Sequence, residues 1–102
     1  MQIALSSAPV KNKDIPHNLA AMTAALAQAA ADGADLVVFG ESPLQGFDCL
    51  CWSYAADRDM ALPLDSAPIR QLQDAARKYA TAISFGFIER DGDALYSSCA
   101  FI

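Results

Sequence analysis

The sequence predicts an α/β fold on a mixed sheet, with the element order β-α-β-α-β-β. Three observations carry this. Leu36-Val37-Val38-Phe39 is an unbroken apolar run, the pattern of a parallel strand covered on both faces. On either side of it lie stretches whose apolar residues recur at helical spacing. Near the end, Ile83, Phe85 and Phe87 alternate with other residues, the mark of a half-buried strand.

Each element has its own reasons. Ile3 and Leu5 open a first strand, which Pro9 ends because proline cannot donate to a ladder. Asp14 is placed to cap a helix, with Pro16 tolerated in its first turn. Ile15, Leu19, Met22, Leu26 and Ala30 share one helical face, and Gly33 suits the left-handed residue that ends a helix. Leu36 to Phe39 then completes a right-handed βαβ unit. The segment 45–63 is the least readable, with some helical character at best. Ser66 is placed to cap a second helix, striped by Ile69, Leu72, Ala76 and Tyr79. Asp91-Gly92 is the strongest hairpin signal, and Leu95 to Ile102 is the returning strand. The expected core is Ile3, Leu5, Leu19, Met22, Leu26, Val37, Val38, Ile69, Leu72, Ile83 and Phe85.

The 102 residues make one domain at most. Apolar residues are 54% of the chain, but 21 of them are alanine, which adds little apolar area. The net charge is −5, and no basic cluster exceeds Arg77-Lys78. Neither nucleic acid nor an anionic membrane surface is an expected partner. No apolar run approaches the roughly 20 residues of a membrane helix, and no secretion signal opens the chain. Three cysteines do not make a disulfide framework, so a cytoplasmic setting is expected. The chain stops at Cys99-Ala100-Phe101-Ile102, inside an apolar strand with no turn signal after it. One reading is an edge strand that frays. The other is a single domain over 1–102 that is the amino-terminal part of a longer one.

Of the two glutamates, Glu89 reads as a solvated residue at the hairpin. Glu41 follows Gly40 at the carboxyl end of the central strand, where open α/β sheets place ligand crevices. Gly40 leaves room for a ligand or another backbone. A carboxylate there is expected to be partly desolvated, which suits it to proton transfer. The competing reading has Glu41 cap the following turn or pair with a base. A solvent-exposed Glu41 favours a generic small-ligand domain. Phe47 and Trp52 are candidates to line a pocket beside it, or else ordinary core filling. Cys49 and Cys51 read as structural thiols, Cys99 as a small buried hydrophobe, and His17 as an exposed residue of the first helical turn. Cys49-Leu50-Cys51 lacks zinc-type spacing, and no G-x-G-x-x-G follows the first strand. No metal or cofactor is expected.

The stretch GADLVVFGESPLQGF, residues 33 to 47, resembles the signature around the catalytic glutamate of the nitrilase, or carbon–nitrogen hydrolase, superfamily. MQIALSSAPV with Asp14 and Asn18 resembles that family's first strand and helix. PIRQLQDAARKYATAISFGFIERDGDALYSS, residues 68 to 98, resembles its second helix and hairpin. Two positions depart from the family pattern: Gly40 stands where proline is frequent, and Ser97 where asparagine is. The resemblance implies the first part of an α-β-β-α sandwich. It also implies metal-free hydrolysis of an amide, nitrile or carbamoyl compound by a Glu-Lys-Cys triad. Glu41 maps onto the glutamate, the general base; no residue here matches the lysine or the nucleophilic cysteine. The other reading is a non-catalytic truncated paralogue, serving as a binding or interaction module. A sheet lacking later strands is expected to self-associate, so a homo-oligomer is expected.

Overall fold

The computed structural model describes residues 1–102. Its elements are β1 (Ile3–Ser6), α1 (Ile15–Ala31), β2 (Leu36–Phe39), α2 (Tyr54–Met60), α3 (Ala67–Tyr79), β3 (Ala82–Asp91) and β4 (Ala94–Phe101). They form a mixed α/β fold with one four-stranded sheet in the order β1-β2-β3-β4. β2 is central, parallel to β1 and β3, and β4 returns antiparallel to β3.

The termini of α1 follow the sequence signals. Asp14 accepts a hydrogen bond from the His17 N–H at 3.1 Å, satisfying a first-turn donor. Gly33, at φ +86, takes the left-handed conformation just past the helix. α3 begins after Ser66 as expected, but the Ser66 side chain makes no capping bond and its Oγ is buried without a partner. The hairpin turn lies one residue later than Asp91-Gly92. Asp91 pairs with Ala94, so Gly92 and Asp93 are the turn. Gly92 alone has positive φ, the sign pattern of a II′ turn, which matches the twist of the strands.

Both long helices pack on one face of the sheet. Leu19, Met22 and Leu26 of α1 and Ile69 and Leu72 of α3 enclose Val37, Phe39, Ile83, Phe85 and Phe87. The run 36–39 therefore buries one face rather than two: Val37 and Phe39 are buried, Leu36 and Val38 half-buried. Ile3 and Leu5, expected in the core, are exposed, with Leu5 at 81%. They alternate onto the face that no long helix covers. Cys99, expected to be buried, lies exposed on β4 for the same reason.

That second face is covered at one end. β3 presents Phe87 to the helices and Ile88 to the opposite side, and both are buried. Ile88 packs with Cys49 and Ala61, flanked by Leu50, Met60 and Leu95. The cover is the segment around α2, a helix the sequence left unread. Glu89 is a strand residue, not a turn residue; it pairs with Tyr96 and accepts a 2.7 Å bond from the Ser98 hydroxyl. No helix is long and apolar enough to cross a membrane.

Candidate functional site

β2 leaves the sheet at Phe39, and the next residues form a tight turn carrying Glu41. The last β2–β3 pair is Val38 with Ser84. The Gly86 N–H then donates to the Gly40 carbonyl at 3.2 Å, so Glu41 starts at a fixed height above β3. Ser42 has φ +47, uncommon for a residue with a Cβ and the kind of local strain that collects at functional sites. The Gly46 N–H closes the turn on the Ser42 carbonyl at 2.7 Å. Gly46 has no substitute: at φ +97 a Cβ there would lie 2.8 Å from Asn12 Oδ1 and 2.9 Å from its Cα.

Two buried amides fasten this turn. Asn18, on α1, donates from Nδ2 to the carbonyls of Lys11 at 2.7 Å and Leu44 at 2.8 Å, and accepts from the Lys11 N–H at 2.8 Å. Gln45, with 0% exposure, donates from Nε2 to the Ile88 and Met60 carbonyls at 2.9 and 3.3 Å. Its Oε1 accepts from the Ile88 N–H at 2.8 Å. Leaving one such buried group unpaired costs about 1–3 kcal/mol, so both amides resist displacement. Neither was assigned a positioning role from sequence. Gln45 opens the segment 45–63, the least readable in sequence.

Glu41 is exposed, which corrects the expected desolvation. It enters no ion pair, so the competing reading as a salt-bridge partner has no support either. Gly40 faces open space, since nothing lies within 4 Å of where its Cβ would be; no backbone packs there. Glu41 lines a cavity of about 220 Å³ together with Ser6, Val10, Met22, Phe39 and Phe47. Phe47, 73% exposed, thus shares the cavity with Glu41. Trp52 does not. At φ +65 and 87% exposed, it lines a separate cleft with Tyr54, Leu95 and Tyr96.

The cysteines sit apart in character. Burial pushes the Cys49 thiol above the usual range, opposed by a hydrogen bond with Ser42; such a thiol is a poor nucleophile. The Cys51 thiol donates to Asp57 Oδ1 at 3.3 Å. The Asp57 carboxylate also accepts from the N–H groups of Cys51 at 2.9 Å and Trp52 at 3.0 Å. The backbone bond from Cys51 is foremost in holding the Asp57 carboxyl below the usual aspartate range, with burial opposing it. No three His, Cys, Asp or Glu side chains gather where they would hold a metal ion. His17 is exposed in the first turn of α1.

Residues 2–102 match the carbon–nitrogen hydrolase family model. An arylacetonitrilase from Hypocrea virens is 29% identical over 109 residues, covering 100% of this chain and 33% of that enzyme. A citrullinase from Francisella tularensis is 34% identical, covering 89% of this chain and 32% of that enzyme. The chain thus spans about a third of the length of these curated relatives. Among solved structures, an amidase from Nesterenkonia sp. superposes with a TM-score of 0.77 at 23% identity, over 99% of this chain and 37% of that one. At that identity the likeness speaks for the fold.

Proposed function

The chain belongs to the carbon–nitrogen hydrolase family, and from that premise we propose that it supplies Glu41 as the general base of a hydrolase for non-peptide carbon–nitrogen bonds. The observation that carries this is the placement of Glu41. It is an unpaired carboxylate on a fastened turn at the carboxyl end of the central parallel strand, opening on a cavity. Exposure alone favours a generic ligand domain. The family match over residues 2–102 outweighs it.

In this reading the 102 residues form the amino-terminal part of a longer domain. The lysine and the cysteine that the family resemblance implies then complete the site from outside these residues. The cysteine sulfur attacks the carbon of an amide, nitrile or carbamoyl group as Glu41 accepts the thiol proton. On an amide or carbamoyl carbon the lysine stabilises the negative charge of the tetrahedral centre, and on a nitrile that of the nitrogen of the forming thioimidate. For an amide, the proton held by Glu41 passes to the departing nitrogen, ammonia leaves, and water hydrolyses the thioester. Phe47 stands at the rim of the cavity as a substrate contact. Trp52, in its own cleft, is assigned no part in it.

A second reading is favoured by the apolar sheet face around Ile3, Leu5 and Phe101: a non-catalytic module that binds through that surface. Ammonia release from a panel of small amides and nitriles separates the two. Residues 1–102 alone are expected to be inactive, since loss of a nucleophile forfeits nearly the full advantage of a catalytic unit. A family-length protein carrying them is expected to turn over, and Glu41→Gln in it to slow acylation by about 10²–10⁴-fold. Near-normal rates in Glu41→Gln would overturn the role of Glu41. Turnover by 1–102 that vanishes in Cys51→Ala would place the nucleophile within this chain.

A further inference from the structure

We infer that Gln45 is a positioning residue for Glu41, standing in for the strand that β2 fails to provide; the inference rests on the reading of Glu41 as the general base. Along the β2-facing edge of β3, the peptide groups pointing outward belong to alternate residues. The Gly86 N–H is met by the Gly40 carbonyl at 3.2 Å, and the Arg90 N–H by the Leu62 carbonyl at 2.9 Å. Between them stands Ile88, whose N–H no backbone atom reaches. The Gln45 carboxamide fills that place with Oε1 on the Ile88 N–H at 2.8 Å, while its Nε2, at 2.9 Å, shares the Ile88 carbonyl with the Leu62 N–H, also at 2.9 Å. A carboxamide carries the same donor and acceptor as a peptide group, so a side chain supplies the acceptor that the backbone lacks between Gly40 and Leu62.

The consequence falls on Glu41. The chain between Gly40 and Gln45 is pinned to β3 at both ends, at Gly86 and at Ile88. Asn18 holds the Leu44 carbonyl from the α1 side at 2.8 Å, and the Lys13 N–H holds the Gln45 carbonyl at 2.7 Å. Glu41 itself has no bond to fix it, so its place relative to a reacting atom is inherited from these anchors. A shift of about 1 Å in a reacting group can cost about 10²-fold in rate.

The test uses Gln45→Met, which keeps an unbranched side chain of similar length and loses all three bonds. In the 102-residue chain, hydrogen exchange of the Gly86 and Lys13 amides is expected to rise at least about tenfold while the amides of α1 keep their protection. An equal rise everywhere would make Gln45 a general stability residue and overturn the inference, as would no rise at Gly86. If Gln45→Met does not fold, Gln45→Glu serves; it keeps the acceptor for Ile88 and loses both donations. In a family-length protein, Gln45→Met is expected to lower kcat by about 10²-fold with KM little changed, and to add nothing in the Glu41→Gln background. A further full loss in that background overturns it. Loss in Glu41→Gln without loss in Gln45→Met removes the positioning role and leaves the base in place. Near-normal turnover in Glu41→Gln removes both.

Discussion

The two faces of the sheet are built from similar residues and have opposite fates. On one, Val37, Ile83 and Phe85 are sealed under α1 and α3. On the other, Ile3, Leu5 and Phe101 stand in the open, and cover reaches only the end around Ile88. Apolar composition decides that a face is worth covering. It does not decide which element does so. The helices reach one side because their apolar stripes meet each other across that side. On the other face the short α2 segment reaches only the far end.

The largest contrast is in stability. Phe85→Ala is expected to cost about 3–5 kcal/mol, the usual loss for an aromatic deep in a core. That is a large part of the 5–15 kcal/mol that holds a domain folded. Leu5→Ala, on the bare face, is expected to stay within about 0.5 kcal/mol, as for an ordinary surface site, at a concentration dilute enough to keep the chain monomeric. Urea unfolding of both variants in 1–102 measures the gap. A cost for Leu5→Ala near that of Phe85→Ala would mean that the second face is covered in solution.

A smaller effect concerns association. The bare face joins exposed apolar side chains to β1, an edge strand with one unpaired side, and both features favour self-association. Residues 1–102 are expected to elute above the monomer mass by light scattering. Leu5→Lys with Phe101→Lys is expected to move the chain toward monomer, because burying either ammonium in an apolar contact is costly. A sharp monomer peak for the unaltered chain, with cooperative unfolding, would break the link between the bare face and association.

Much of this was legible in sequence, and the illegible part has a physical pattern. The strands, the long helices and the acid at the end of β2 follow from periodicity, caps and the residue types at Phe39-Gly40-Glu41. The direction in which apolar residues are covered does not follow: Leu36 and Val37 are near-equivalent as letters, and only the position of α1 and α3 separates them. Asn18 and Gln45 escaped for the converse reason. Amides are mostly surface residues, and what buries these two is a set of peptide groups far away in the chain. Trp52 and Phe47 both lie near Glu41 in sequence, yet the backbone at Trp52, with φ +65, belongs to a loop that carries it to another cleft.

The smallest effect tests one of the fastenings of the second face's cover. Asp57 ties the backbone at Cys51 and Trp52 to α2, and so holds Cys49 and Leu50 near Ile88. Its carboxyl lies below the ordinary aspartate range in the folded chain, chiefly through the Cys51 N–H, with the Cys51 thiol, the Trp52 N–H and the charge of Lys13 acting in the same direction. A lowered folded value means that the unfolded chain binds the proton first as pH falls. The contribution is therefore complete above the unfolded value, about 3.9, and is lost as pH drops through it to the folded value. Asp57→Asn is expected to lower Tm modestly at pH 7, because the neutral amide is a weaker acceptor for three donors. Below about pH 4 the difference from the unaltered chain should shrink, since protonation then weakens the native carboxyl too. Thermal melts of both proteins from neutral to acid pH read this directly. A Tm difference that stays constant across that range would mean that the bonds from Cys51 and Trp52 do not depend on the charge of Asp57, and that apolar packing around Ile88 holds the cover in place.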